Sequence, residues 1–216
     1  SIAVYSFTYS IESIHFMLAF LWKWHRRFGI LACIGFICWG LSALAHPLMS
    51  RLQAKPAQMQ PPKQMIDLSH ALPLPQLLAQ QQIRDIQSFA LAQFNNGQSY
   101  YRLHYQGAAH YFDLHSGQEY PNADRLYAEE LARYYTGLHD APIVSARLVT
   151  DFDAEYTETN RLQPVWRIEF AQSRHLRAYI DTEQARLATL VDTPKYVLGQ
   201  IFQLGHNWSF LDSMPT

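Results

Sequence analysis

From Phe28 to Ser50 no side chain carries a charge, and the sequence on either side is patterned differently. A helix needs about twenty apolar residues to cross the hydrocarbon core, so residues 28–50 predict a transmembrane helix. The basic block Lys23-Trp24-His25-Arg26-Arg27 precedes it. Before that block, Ser13 to Trp22 is too short to span. It reads either as an interfacial segment or as an inward extension of the same helix. The uncharged run exceeds the roughly 7 to 15 apolar residues of a signal peptide, so a retained anchor is expected.

Beyond the span the periodicity changes several times. Residues 51–82 hold Pro56, Pro61, Pro62, Pro73 and Pro75 among many glutamines, which predicts an extended tether. Residues 83–94 place Ile83, Ile86, Phe89, Ala90 and Phe94 at helical spacing, with Asn95-Asn96-Gly97 as the stop. Two alternating stretches follow, 99–105 and 109–115, separated by Gln106-Gly107-Ala108 as a hairpin. Ser116-Gly117 closes the second in a turn.

Residues 123–138 return to helical spacing at Leu126, Leu131 and Tyr134 or Tyr135, with Gly137 near the end. Strands are expected at 143–150, 164–170, 175–181 and 186–191. The pair YYRLHY and AHYFDLHSGQ is similar to the pair VWRIEF and LRAYIDTEQA about 65 residues on, which suggests a duplicated α+β unit. The expected organisation is an N-terminal segment 1–27, the transmembrane helix 28–50, the linker 51–82, one unit at 83–121, a second at 122–192, and an amphipathic stretch at 193–216. Its apolar end and the lack of an initial methionine make the chain read as an excerpt of a longer membrane protein.

Charge narrows the classes. The 216 residues carry a net charge of −1. From Arg51 onward 14 basic face 17 acidic side chains, so no basic face favours nucleic acid. Both cysteines, Cys33 and Cys38, lie inside the span, five apart and on different helix faces, and read as packing residues. Cations are nearly balanced about the span, and the compact block before it weakly favours a cytoplasmic N-terminus. Nothing supports a hydrolase or a nucleotide-binding loop, since Gly-x-Ser-x-Gly, His-Glu-x-x-His and a Gly-rich phosphate loop are all missing from the sequence.

The stretch WHRRFGILACIGFICWGLSALAHPLMS resembles the first membrane helix of PepSY-associated transmembrane proteins, which open with a His-Arg-x-x-Gly pattern. GHNWSFLD is similar to the segment these proteins carry before their next membrane helix. YFDLHSGQEY and AYIDTEQARL resemble the PepSY strand ending in Asp-x-x-x-Gly, although Gln184 or Ala185 stands where the second glycine is expected. The resemblance covers about three quarters of the chain. It implies an α+β protein of the bacterial inner membrane: one transmembrane helix, then a tandem PepSY-like region of helices on short antiparallel sheets, on the periplasmic side. Some members are haem-containing reductases of ferric-siderophore uptake, while others have no assigned activity.

The candidate cofactor is haem b, and the candidate ligands are His46, His206 and His25. His46 lies at the outer end of the span and His206 precedes the expected next helix, so a chain that loops out and back brings both to one face. Haem with two axial imidazoles needs such histidines in an apolar pocket at one depth. The alternative is that His46 ends the helix with Pro47 and His206 caps an interfacial turn. His25, at the inner end, reads either as a ligand of a second haem or as part of the aromatic-basic belt with Trp22, Lys23 and Trp24. Asp151, Asp153 and Glu155 alternate and would share a strand face, where they would bind a hard cation or stand as a solvated loop. His104, His110, His115, His139 and His175 lack metal-ligand spacing.

Two functions are left open. One is a haem-b electron-transfer protein reducing ferric chelates, a ferric-chelate reductase component. The other is a non-enzymatic binding or inhibitory module acting on a peptidase or another membrane-complex partner. The lipid bilayer is the expected partner in both, with a ferric siderophore or a protein as the second.

Overall fold

A computed structural model of the protein describes residues 2–172 and 174–206. It divides into two units, one formed by the residues up to Arg51 with those from Leu198 on, the other by Leu52–Val197.

In the first unit helix α1 runs Ile2–Ala43, breaks at Leu44, and gives way to α2, Ala45–Leu52. Pro47 sits in the first turn of α2, where a missing N–H costs no helical bond. The expected span lies inside this helical stretch, and Ser13 to Trp22 continues α1 toward its N-terminus. Large side chains stand exposed around the helix, Phe36 at 75%, Leu31 at 66% and Phe28 at 61%. Such a helix needs an apolar surrounding. Among the described residues, His15–Leu52 is the one stretch long and apolar enough to cross a membrane.

The second unit is α+β with two small antiparallel sheets. Sheet one has the order β1 (Ser88–Gln93), β2 (Ser99–Tyr105), β3 (Ala108–Asp113). Sheet two has the order β4 (Ile143–Val149), β5 (Val165–Phe170), β6 (Arg177–Asp181), β7 (Arg186–Val191). β2 and β3 meet across Gln106 and Gly107, both at positive φ, the two-residue turn whose twist matches the strands.

Helix α4, Ala123–Thr136, lies between the sheets. Its Tyr127, Ala128, Leu131 and Tyr135 pack with Tyr100 and Tyr111 of sheet one and with Ile168, Ala178 and Ile180 of sheet two. Gly137, at φ +70°, ends it in the left-handed cap, its N–H donating to the Arg133 carbonyl. The opposite face of sheet one, Tyr101, Leu103 and Phe112, is covered by α3, Leu74–Gln80, through the fully buried Leu77.

Two expectations are corrected. Residues 83–94 contain no helix: Ser88–Gln93 is strand β1, paired with β2 from Ser88↔His104 to Gln93↔Ser99. Alternation lets Ala92 and Phe94 enter the core beside α4 while Leu91 faces the α3 side, so tertiary pairing overrides the helical spacing. Nor is the proline-rich segment a free tether. Leu72 donates its N–H to the Leu114 carbonyl, Ala57 to that of Tyr135, and the Gln64 amide to the Tyr127 hydroxyl. Buried Asp192 accepts from the Ala54 N–H and pairs with Arg174 at 2.6 Å.

With these changes the two halves share an element order. Each half runs helix then antiparallel sheet, α3-β1-β2-β3 and α4-β4-β5-β6, with β7 added to the second. Asp113 Oδ1 accepts the N–H groups of His115 and Ser116, and Asp181 Oδ1 those of Glu183 and Gln184. Four residues beyond each aspartate the chain turns left-handed, at Gly117 (φ +69°) and Ala185 (φ +50°). The alanine standing where glycine was expected therefore keeps the glycine conformation.

Candidate functional site

In the first unit, helix α5 (Thr193–His206) brings its last residues against α1. Gly205 permits this, because a Cβ there would stand 2.8 Å from the Ser42 Cβ. His206 stacks on Trp39 with ring centroids 4.7 Å apart and on Phe202 at 4.5 Å, so its imidazole lies between the two aromatic rings. His46 meets the same Phe202 at 6.0 Å, tilted by 58°.

The expected pair therefore converges on one phenylalanine. The two histidines are stepped, however, since His206 is level with Trp39 and His46 lies seven residues further on, roughly 10 Å of helical rise. The His206 Nδ1 is buried with no hydrogen-bond partner among the described residues. Beside it an apolar groove of about 1020 Å³ is walled by Leu31, Gly35, Trp39, Leu204 and Gly205. His25 is exposed on α1, twenty-one residues before His46 and roughly 31 Å away along a straight helix. It joins neither. Its neighbour Trp24 packs between Phe20 and Phe28, with the Arg27 guanidinium 5.5 Å from its ring. The expected match at GHNWSFLD extends beyond His206, outside the described residues.

The second unit contains a polar centre that the sequence pattern did not reveal. Asp124, on the first turn of α4, accepts from the Trp166 indole N–H at 2.6 Å, the Tyr111 hydroxyl at 2.8 Å, the Thr182 hydroxyl at 2.8 Å and the Arg102 Nε at 3.4 Å. Arg102 is itself 4% exposed. Burial, then the adjacent Asp124 charge, hold the Tyr111 hydroxyl well above its ordinary range.

The second half carries a related centre. Arg102 lies opposite Tyr111 across β2 and β3, as Arg167 lies opposite Tyr179 across β5 and β6. There Glu155 is the carboxylate, paired with Arg167 and Arg177 at 3.2 Å each and accepting from the Tyr179 hydroxyl. A signal existed in the recurring Arg and Tyr of the two hairpins. The carboxylates come from non-equivalent segments, so no sequence match links them.

The acidic run is accounted for within this packing. Asp153 Oδ1 accepts the N–H groups of Glu155 and Tyr156, and Asp151 accepts the Thr150 hydroxyl. Glu155 points into its guanidinium pair. Among the described residues no three His, Cys, Asp or Glu side chains gather as a metal site. His110 stacks on Tyr105 at 4.2 Å and meets Glu119 at 2.8 Å, while His175 approaches Glu169 at 3.9 Å.

Fold and site together define an α+β protein with one long apolar N-terminal helix and two small antiparallel sheets. No family model matches the chain, and no curated protein or solved structure matches it either.

Proposed function

We propose that the chain is a membrane-anchored, PepSY-like protein of the bacterial inner membrane, with its N-terminus in the cytoplasm, its sheet unit in the periplasm, and a haem-b electron-transfer role in the reduction of ferric chelates. The observation that carries the haem reading is the His206 imidazole, wedged between Trp39 and Phe202 with its Nδ1 buried and without a hydrogen-bond partner among the described residues. A buried polar nitrogen without a partner is costly, and either imidazole nitrogen can ligate a metal.

At this position the donors fit a single axial imidazole, since the step of roughly 10 Å keeps His46 from sharing one haem with His206. His206 would hold the haem, with His46, one step further along, as the second candidate, and His25 as the candidate for a separate centre at the inner end. Haem bound there would supply one-electron chemistry. The protein's own part is to fix the imidazole by stacking, to keep water away with Leu31, Gly35 and Leu204, and to bring α5 close through Gly205. The PepSY-like reading is supported by the two helix-then-sheet halves and their matching Asp-led turns.

The test is the absorption spectrum of the detergent-purified protein. A Soret band that disappears in His206→Ala is expected. A folded protein without that band overturns the reading.

A second reading, a binding or inhibitory module for a peptidase or another membrane partner, is favoured by one observation. Strand β4 is an edge of sheet two, with Val144 60% and Leu148 45% exposed. Such an edge can accept an added peptide strand. A partner captured through β4 would be released by Leu148→Pro, which removes an N–H that alternation along β4 turns away from β5.

A further inference from the structure

Arg102 spends only part of its hydrogen-bonding capacity on Asp124. Its Nη2 donates to the Thr182 hydroxyl at 3.2 Å, but its buried Nη1 has no hydrogen-bond partner among the described residues. Glu183 Oε2 is 3.9 Å from it, beyond hydrogen-bond reach, on a side chain 46% exposed. The guanidinium forms one wall of a cavity of about 260 Å³ between β2, the turn after β6, and the loop before β5. His104, Arg161, Gln163, Asp181, Gln184 and Arg186 complete its polar lining.

The charges around this cavity are unequally committed. Asp181 accepts from the Arg186 Nε at 2.8 Å and from two backbone N–H groups, so it offers little further negative charge. Arg161 is exposed, and none of the ion pairs among the described residues includes it. Two guanidiniums, Arg102 from the floor and Arg161 from the rim, thus present donors to a space holding a single weakly engaged carboxylate, Glu183. A guanidinium fork matches the planar two-oxygen geometry of a carboxylate. With Glu183 at the rim, a singly charged group is better tolerated than a doubly charged phosphate. The volume admits one residue-sized group and not a drug-sized ligand.

We propose that this cavity binds a carboxylate at the end of a short chain, either the free C-terminus of a peptide or a small organic acid. The inference concerns the sheet unit alone and does not depend on haem. The ligand carboxylate takes the Arg102 Nη1 donors from within and the Arg161 donors from the rim, and displaces the Glu183 side chain outward.

Calorimetric titration of the detergent-solubilised chain tests it with three probes: N-acetyl-dialanine as the free acid, the same compound as its C-terminal amide, and acetate. The free acid is expected to bind about tenfold or more tighter than the amide. Arg161→Gln, on an exposed residue, is expected to weaken it by a similar factor, and Glu183→Gln to strengthen it. Acetate binding as tightly as the peptide acid assigns the site to small acids, and much weaker acetate assigns it to chain ends. Equal binding of acid and amide, no binding of either, an unchanged affinity in Arg161→Gln, or weaker binding in Glu183→Gln overturns the proposal.

Discussion

The indole N–H of Trp166 donates to the Asp124 carboxylate at 2.6 Å, which ties the second sheet to the helix preceding it. Because the same carboxylate receives Tyr111 and Arg102 from the first sheet, one side chain joins α4 to both sheets. Removing it leaves a buried guanidinium without its counter-charge. Asp124→Ala is expected to destabilise the unit by about 3–5 kcal/mol, whereas Trp166→Phe loses one charge-assisted bond and about 1.5–3 kcal/mol. Denaturant unfolding of the two variants checks the order.

The proline-rich strap is part of the fold, and Leu77 is its anchor. Leu77→Ala is expected to cost about 2–5 kcal/mol, the range for a fully buried leucine. If the strap were a free tether, the same substitution would leave the unfolding transition in place.

The two Asp-led turns differ in how their fifth residue tolerates a side chain. A Cβ on Gly117 would stand 2.7 Å from Leu72 Cδ2 and 3.0 Å from Leu77 Cδ1, at φ +69°. Gly117→Ala is expected to cost at least the 1–2 kcal/mol or so of left-handed strain. Ala185→Gly relieves about 1 kcal/mol of strain but removes a half-buried methyl worth at most about 0.8 kcal/mol, so its net effect stays within about 1 kcal/mol of zero. Thermal unfolding of the pair measures both.

Stability has an acid and an alkaline limb. Burial pulls Asp113, Asp153 and Glu169 upward, but hydrogen bonds outweigh it: from Ser116 and His115, from Tyr156 and Glu155, and from Arg167 respectively. All three lie below their ordinary values of 3.8, 3.8 and 4.5. Their contribution is full above those values and is lost as pH falls through the depressed folded values. At the other end, burial pushes Tyr127, Tyr135 and Tyr156 up to about 12 from 10. Their contribution is full below pH 10 and is lost as pH rises through about 12. Phenolate absorbance is expected to rise late, together with loss of circular dichroism.

How far the sequence reaches depends on the range of the interaction. The β2–β3 hairpin at Gln106-Gly107, helix α4 and the four later strands all follow local periodicity and stand within a few residues of their expected ends, while the helix that holds the uncharged run begins well before Phe28. Residues 83–94 mislead because Ile83, Ile86 and Phe89 satisfy a helical spacing while β2 supplies a partner strand that the spacing cannot express. The strap misleads because proline density says nothing about Leu72 and Leu77 filling a sheet face. In the site, the sequence placed His46 and His206 near one end of the span, and both rings meet Phe202, but the step between them was not legible. Nor was Asp124, since its partners lie 13, 22, 42 and 58 residues away.

The account rests most directly on His206. Its sharpest test is the reduced-minus-oxidised absorption spectrum of the detergent-purified protein, beside those of His206→Ala and His206→Gln, with circular dichroism as the control for folding. Sharp haem-b bands in the unsubstituted protein, absent from both folded variants, are the expected result. A folded unsubstituted protein with no haem bands, or bands that survive both substitutions, would contradict it.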